Sequence, residues 1–240
     1  ELVLLRLSNQ YLLRTGERME VLRAMNGFQA QFLSNALYAM RLRSTAYDTA
    51  HAADSLVKSW TLRGTMHIFA EADLPLFLHT GCRYRSRDWT VPSFWNQRPD
   101  WALTPQRQAY FSDLIVDALA QGPMTREALK ARCRVAGMTQ AEEGSIFHPW
   151  GGGIRELCER GFLCGTVSEE KAFRLCPAFT PMEEQDALLE QTRRYFTNYG
   201  PASVRDAAYY FGSSQAEIEK RLARLPVEAA KYEGQRLFSL

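Results

Sequence analysis

Apolar residues recur at helical spacing over residues 4–13 and 19–25, with Gly16 as a break between them, which predicts two short helices. Phe32, Leu33, Ala36, Leu37 and Met40 mark a further helix, and Ala53, Leu56, Val57 and Trp60 predict another over residues 49–60. The period then changes. Leu62, Gly64, Met66 and Ile68 alternate with Arg63, Thr65, His67 and Phe69, which is strand patterning and sets Arg63, Thr65 and His67 on one face. Helices followed by a short β element outline a winged helix-turn-helix.

That outline returns twice. Gly122-Pro123-Met124-Thr125-Arg126 is echoed by Gly200-Pro201-Ala202-Ser203-Val204, 78 residues later. Each follows a helical segment, at 110–120 and 186–196, and each places Thr125 or Ser203 where an N-cap belongs. A helix over 154–160 leads to apolar stretches at 162–165 and 172–175, and a helix over 215–225 leads to stretches at 227–232 and 236–240 around Glu233-Gly234. Both read as hairpin wings. The expected fold is therefore mainly α with short β-hairpin wings (α+β), in three tandem winged-helix units: 1–80, 106–180 and 181–240. Residues 81–105, with three prolines at or near them, read as an Arg/Trp-rich connector.

Superposing the first unit on the others sets Gly27 near the glycine of the Gly-Pro motifs, so Gln29 and Gln31 fall in an extended lead-in to a helix. On a helix, residues i and i+2 point about 200° apart; on an extended segment they share a face. Gln29 and Gln31 can act together only from extended chain. The plain alternative is that they cap the helix or face water.

Composition narrows the partners. The chain has 240 residues, 46% hydrophobic and 23% charged, as in ordinary folded domains, and no apolar run is long enough to span a membrane. Its five cysteines lack C-x-x-C spacing and its four histidines are scattered, which points to reduced thiols in the cytoplasm and to no metal site. Residues 1–110 carry 13 basic against 9 acidic side chains, residues 111–240 carry 16 against 18, and arginines outnumber lysines 24 to 5. Arginine suits phosphate and flat rings, although GC-rich coding gives the same bias. Arg83, Arg85 and Arg87, interleaved with Tyr84 and Trp89, read as a DNA contact, while Trp89, Trp95 and Trp101 read as packing between units. Asp48 is expected to cap the 49–60 helix, Glu17 and Glu20 to lie on a solvated face, and His148 and Gly151-Gly152-Gly153 to be structural.

Gln29-Ala30-Gln31, Arg63-Gly64-Thr65-Met66-His67 and Tyr195-Phe196…Gly200-Pro201-Ala202-Ser203…Asp206 together resemble the bacterial winged-helix DNA glycosylases of the AlkZ type, which excise alkylated bases and unhook interstrand crosslinks. The resemblance covers essentially the whole chain. It implies a cofactor-free monomer acting on double-stranded DNA that contains alkylated bases, nucleoid-associated in a bacterium. Gln29 and Gln31 would be catalytic, and Arg63, Thr65 and His67 would contact DNA. Some relatives carry an acidic residue at the second motif position, so Gln31 points to the crosslink-type branch. A C-terminal β-rich domain is expected beyond Leu240, and the start at Glu1 reads as that of a fragment. A non-catalytic winged-helix transcriptional regulator is the competing reading; such proteins commonly dimerise on palindromes, which three unlike units fit poorly.

Overall fold

A computed structural model describes residues 1–78, 92–168 and 170–240. Arg83, Arg85, Arg87 and Trp89 lie outside the described residues. The first stretch holds α1 (Leu2–Asn9), α2 (Arg18–Ala24), β1 (Phe28–Gln29), α3 (Leu33–Arg41), β2 (Leu56–Trp60), β3 (Met66–Ala70) and α4 (Leu74–Phe77). The second group of elements begins at α5 (Pro105–Leu119) and continues through β4 (Met124–Thr125), α6 (Arg126–Val135), α7 (Gln140–Ile146) and α8 (Gly152–Glu159) to β5 (Leu163–Gly165) and, beyond residue 169, its hairpin partner β6 (Ala172–Leu175). The third comprises α9 (Glu184–Asn198), α10 (Val204–Phe211), α11 (Gln215–Leu222) and the hairpin of β7 (Glu228–Tyr232) and β8 (Gln235–Ser239).

One arrangement recurs. A short extended segment after a glycine pairs with the second strand of the hairpin that follows it: β1 with β3, β4 with β6, and Ala202 with Phe238 on β8. The Thr125 and Ser203 side chains accept from Ala128 N and Asp206 N, the N-caps that the sequence predicts. Sequence alone did not show that the first two hairpins join. Lys58 on β2 pairs with Gly165 on β5, giving one antiparallel sheet of order β1-β3-β2-β5-β6-β4.

The sheet separates two cores by alternation. Phe28, Leu56, Ile68 and Ala70 pack with Val21, Leu22, Met25 and Met40 of α2 and α3, while Val57 and Phe69 pack with Leu74, Phe77 and Ala187. Phe111, Ile115, Leu129, Ile154 and Leu163 form the core of the second stretch, and Tyr195, Phe196, Ala207, Ile218 and Leu222 that of the third. Full burial of a side chain such as Phe69 contributes about 1.5–3 kcal/mol.

The helix expected over residues 49–60 is not formed. Residues 49–55 turn, and Leu56–Trp60 is strand β2. Pairing on both sides buries Leu56, Val57 and Ser59. A strand covered on both faces has adjacent apolar residues, a spacing that imitates a helical stripe. Asp48 consequently caps no helix; its carboxylate accepts from Ala50 N at 2.9 Å and pairs with His51. Among the described residues, no helix is long and apolar enough to cross a membrane.

Candidate active site

The end of α2 determines where the glutamines go. Asn26 and Gly27 both have left-handed φ, 56° and 77°. Asn26 N donates to Arg23 O and Gly27 N to Leu22 O, the double closure that ends a helix and redirects the chain. A Cβ on Gly27 would lie 2.5 Å from the Ile68 carbonyl oxygen, so glycine allows β1 to approach β3.

Phe28 and Gln29 then pair with Ile68 and His67, and Ala30 N donates to Met66 O at 2.7 Å. Because Ala30 and Met66 form a hydrogen-bonded pair, Gln29 and His67 form the intervening pair, whose side chains stand closest. Phe28 and Ala30 face the core, while Gln29 and Gln31 are exposed. The extended lead-in brings the two amides together as expected: Gln29 Nε2 donates to Gln31 Oε1 at 2.8 Å. The Gln29 carbonyl oxygen and the Gln31 NH2 group form no side-chain hydrogen bond among the described residues.

The expectation that Arg63, Thr65 and His67 share one strand face is corrected. Strand β3 begins at Met66, and Arg63 lies in the preceding turn at φ 53°. The chain must reverse between β2 and β3, and Thr65 closes that turn by donating its hydroxyl to Leu62 O at 3.0 Å. Arg63 is exposed, with its guanidinium 6.0 Å from the Tyr209 ring centre and 5.9 Å from that of Tyr210. His67 is only 5% exposed and lies in register with Gln29 on one side and Ser59 on the other. Its Nδ1 is 3.0 Å from Thr65 O. A carbonyl only accepts, so Nδ1 carries the proton and Nε2 is an acceptor. Burial, aided by nearby Arg63, pushes the imidazole down to about 4, so it is neutral near pH 7.

Helices α9 and α10 brace the corner from behind. Asn26 Nδ2 donates to Gln191 O at 2.9 Å, and the Tyr199 and Tyr210 hydroxyls donate to Met25 O at 3.2 and 3.4 Å. Burial pushes the Tyr199 phenol up to about 12, which keeps it a donor. Arg194 forms two hydrogen bonds to the Asp73 carboxylate, at 2.6 and 3.0 Å, and a third to Arg23 O. These residues escaped the sequence reading. The tyrosines fall on apolar helix faces, where their hydroxyl bonds leave no mark.

Of the nearby carboxylates, Glu20 accepts from the Tyr11 hydroxyl at 2.8 Å, and exposed Glu17 precedes α2 without a side-chain cap bond. Trp95 is buried and Trp101 packs on the second core. Among the described residues, no group of three or more His, Cys, Asp or Glu side chains is gathered to hold a metal. The arrangement offers two neutral amides at an open sheet edge, able to orient water and to face a positive charge.

Residues 22–240 match the model of a family described as "DNA glycosylase AlkZ-like". The chain is 28% identical over 202 residues to the interstrand DNA cross-link repair glycosylase of Streptomyces sahachiroi, covering 77% of this chain and 52% of the relative. It thus spans about half the length of that curated relative. The solved structure of the Streptomyces sahachiroi DNA glycosylase AlkZ shares the fold, with a TM-score of 0.73 at 23% identity, over 98% of this chain and 67% of that one.

Proposed function

The chain belongs to the DNA glycosylase AlkZ-like family, and we propose that it hydrolyses the N-glycosidic bond of cationic alkylated purines, N7-alkylguanine type, in duplex DNA. The observation that carries this reading is the hydrogen-bonded, solvent-facing pair Gln29–Gln31. A purine alkylated at N7 is already cationic and leaves the sugar without strong acid catalysis. What is left for the protein is to hold a water beneath the anomeric carbon and to stabilise an oxocarbenium-like transition state. Orienting a reactant accounts for up to roughly 7–11 kcal/mol in well-ordered intramolecular systems. Amide oxygens accept from the water and set the negative ends of their dipoles toward the developing cation. Neither glutamine titrates near pH 7, so they position and stabilise and do not act as strict general bases. Nothing in this chemistry calls for a metal or cofactor.

Interstrand crosslinks are part of the proposed substrate range, by analogy with the interstrand DNA cross-link repair glycosylase of Streptomyces sahachiroi and on Gln31 at the second motif position. In our reading the protein works as a monomer of three winged-helix units, 1–80, 106–180 and 181–240, with 81–105 as connector. The recurring pairing of a post-glycine segment with a hairpin supports this division. Arg63 and Thr65, at the turn beside the glutamines, contact the DNA backbone, as do Arg83, Arg85 and Arg87 in the connector; His67 stands beneath Gln29 and helps to hold the water.

The test is incubation with duplex DNA carrying N7-methylguanine, with free base and alkali-labile sites as readouts. Release of base with conversion of the strand to alkali-labile sites is expected. Tight binding without release would support a non-catalytic regulator instead.

A further inference from the structure

A second feature lies one turn away from the glutamines. A groove of about 750 Å³ runs between the β2–β3 turn and helix α10, with Arg63, Arg205, Tyr209 and Gln215 among its walls. That volume is within the usual range for ligand sites, about 300–1,000 Å³. At most about 14 Å of chain separates Arg63 from His67, the cross-strand partner of Gln29.

Both cations in the groove occupy places that their own elements do not favour. Arg63 has left-handed φ in the turn, and Arg205 is the second residue of α10, where the helix dipole opposes a positive charge. Neither guanidinium has a carboxylate partner among the described residues. The nearest acid in sequence, Asp206, is committed to Ser203, accepting from its backbone N–H and hydroxyl at 3.2 and 2.8 Å. Tyr209 lies four residues after Arg205, hence on the same helix face, and is 80% exposed. The Arg63 guanidinium reaches the Tyr209 and Tyr210 rings because Gly212 ends α10 left-handed at φ 62°; a Cβ there would lie 3.3 Å from Arg63 Cγ.

We propose that this groove holds one unstacked nucleotide of the DNA, its phosphate between Arg63 and Arg205 and its base against the open side of the Tyr209 ring. Two unpaired cations fit a phosphodiester, but a paired backbone alone gives no reason for a large exposed ring beside them. Phosphate contacts combined with a flat side chain are how proteins grip bases that have left the stack. A nucleotide drawn out near the lesion opens the duplex beside the glutamines, so the inference rests on the glycosylase reading and extends it to the DNA conformation recognised.

The test uses binding alone. Affinity is measured for a duplex with one central unpaired 2-aminopurine nucleotide and for the same duplex fully paired, across a range of salt. The parent protein should prefer the bulged duplex. Tyr209→Ala should weaken bulge binding about 5- to 150-fold and erase the preference, Tyr209→Phe should retain it, and Arg205→Gln should lower the salt slope by about 0.9. Thermal melting of each variant checks folding, which the exposure of both side chains should leave intact. A parent without bulge preference, or a Tyr209→Ala variant that keeps it, overturns the inference. Base release from N7-methylated DNA, measured alongside, separates the two claims. Release without bulge preference sinks only the groove, and bulge preference without release sinks only the glycosylase reading.

Discussion

The Gln29 side-chain Nε2 donates to Gln31 Oε1 at 2.8 Å, joining an exposed amide on β1 to one two residues further along the chain. The bond uses one N–H and one acceptor site, so each glutamine fixes the rotamer of the other and leaves the Gln29 oxygen with a defined direction. Removing either partner frees the other. Gln29→Ala and Gln31→Ala should each slow release of N7-methylguanine on the order of a hundredfold, and the double variant should be little slower than the worse single one. Single-turnover rates for the three variants provide the cycle; losses that simply add in free energy would mean that the amides act independently.

Gly27 touches no substrate in this account, yet it sets the approach of β1 to β3. Gly27→Ala must fit a Cβ 2.5 Å from Ile68 O at φ 77°, a strain of about 1–3 kcal/mol. The melting temperature should fall by several degrees, with base release falling alongside. An unchanged melting temperature would show that the corner is not constrained as described.

His67 links stability to pH. Its folded value, about 4, lies below the ordinary 6.5, so between those limits the unfolded chain binds more protons. Stability contributed by neutral His67 is complete above pH 6.5 and is lost as pH falls toward 4, by about 2 kcal/mol at pH 5. Denaturant titrations at pH 7 and pH 5 should show this loss in the parent and lack that component in His67→Gln. Identical pH dependence in the two proteins would remove the buried imidazole from the explanation.

Asp73 and Arg194 join α9 to the segment before α4, with both side chains less than 10% exposed. Asp73→Ala leaves the buried guanidinium with Glu190 and Arg23 O but without its two-pronged partner, and should cost about 1.5–3 kcal/mol, whereas exchanging both residues for apolar ones of similar size should cost less. Chemical denaturation distinguishes the two. Equal losses would show that the ion pair is worth more than the packing that could replace it.

Much of this was legible where local chemistry is strong. The paired Gly-Pro motifs marked two extended segments with their N-caps, and Glu233-Gly234, both at positive φ, marked the β7–β8 turn. Placing Gly27 beside those motifs was enough to expect Gln29 and Gln31 on extended chain. Residues 56–60 were misread because sheet neighbours on both sides bury consecutive residues, a cause that lies far away in sequence. Arg63 was assigned to a strand because alternation does not reveal where the chain stops being extended. The bonds from Asn26, Tyr199 and Tyr210 span more than 160 residues, and no local pattern announces them.

The central claim is that the Gln29–Gln31 pair carries glycosidic bond hydrolysis. Its most direct test is single-turnover release of N7-methylguanine from duplex DNA by the parent and by Gln29→Ala/Gln31→Ala, both shown by thermal melting to be folded. The account predicts prompt base release by the parent, release by the double variant slower by a hundredfold or more, and little change in DNA affinity. Equal rates of release by the two proteins would contradict it.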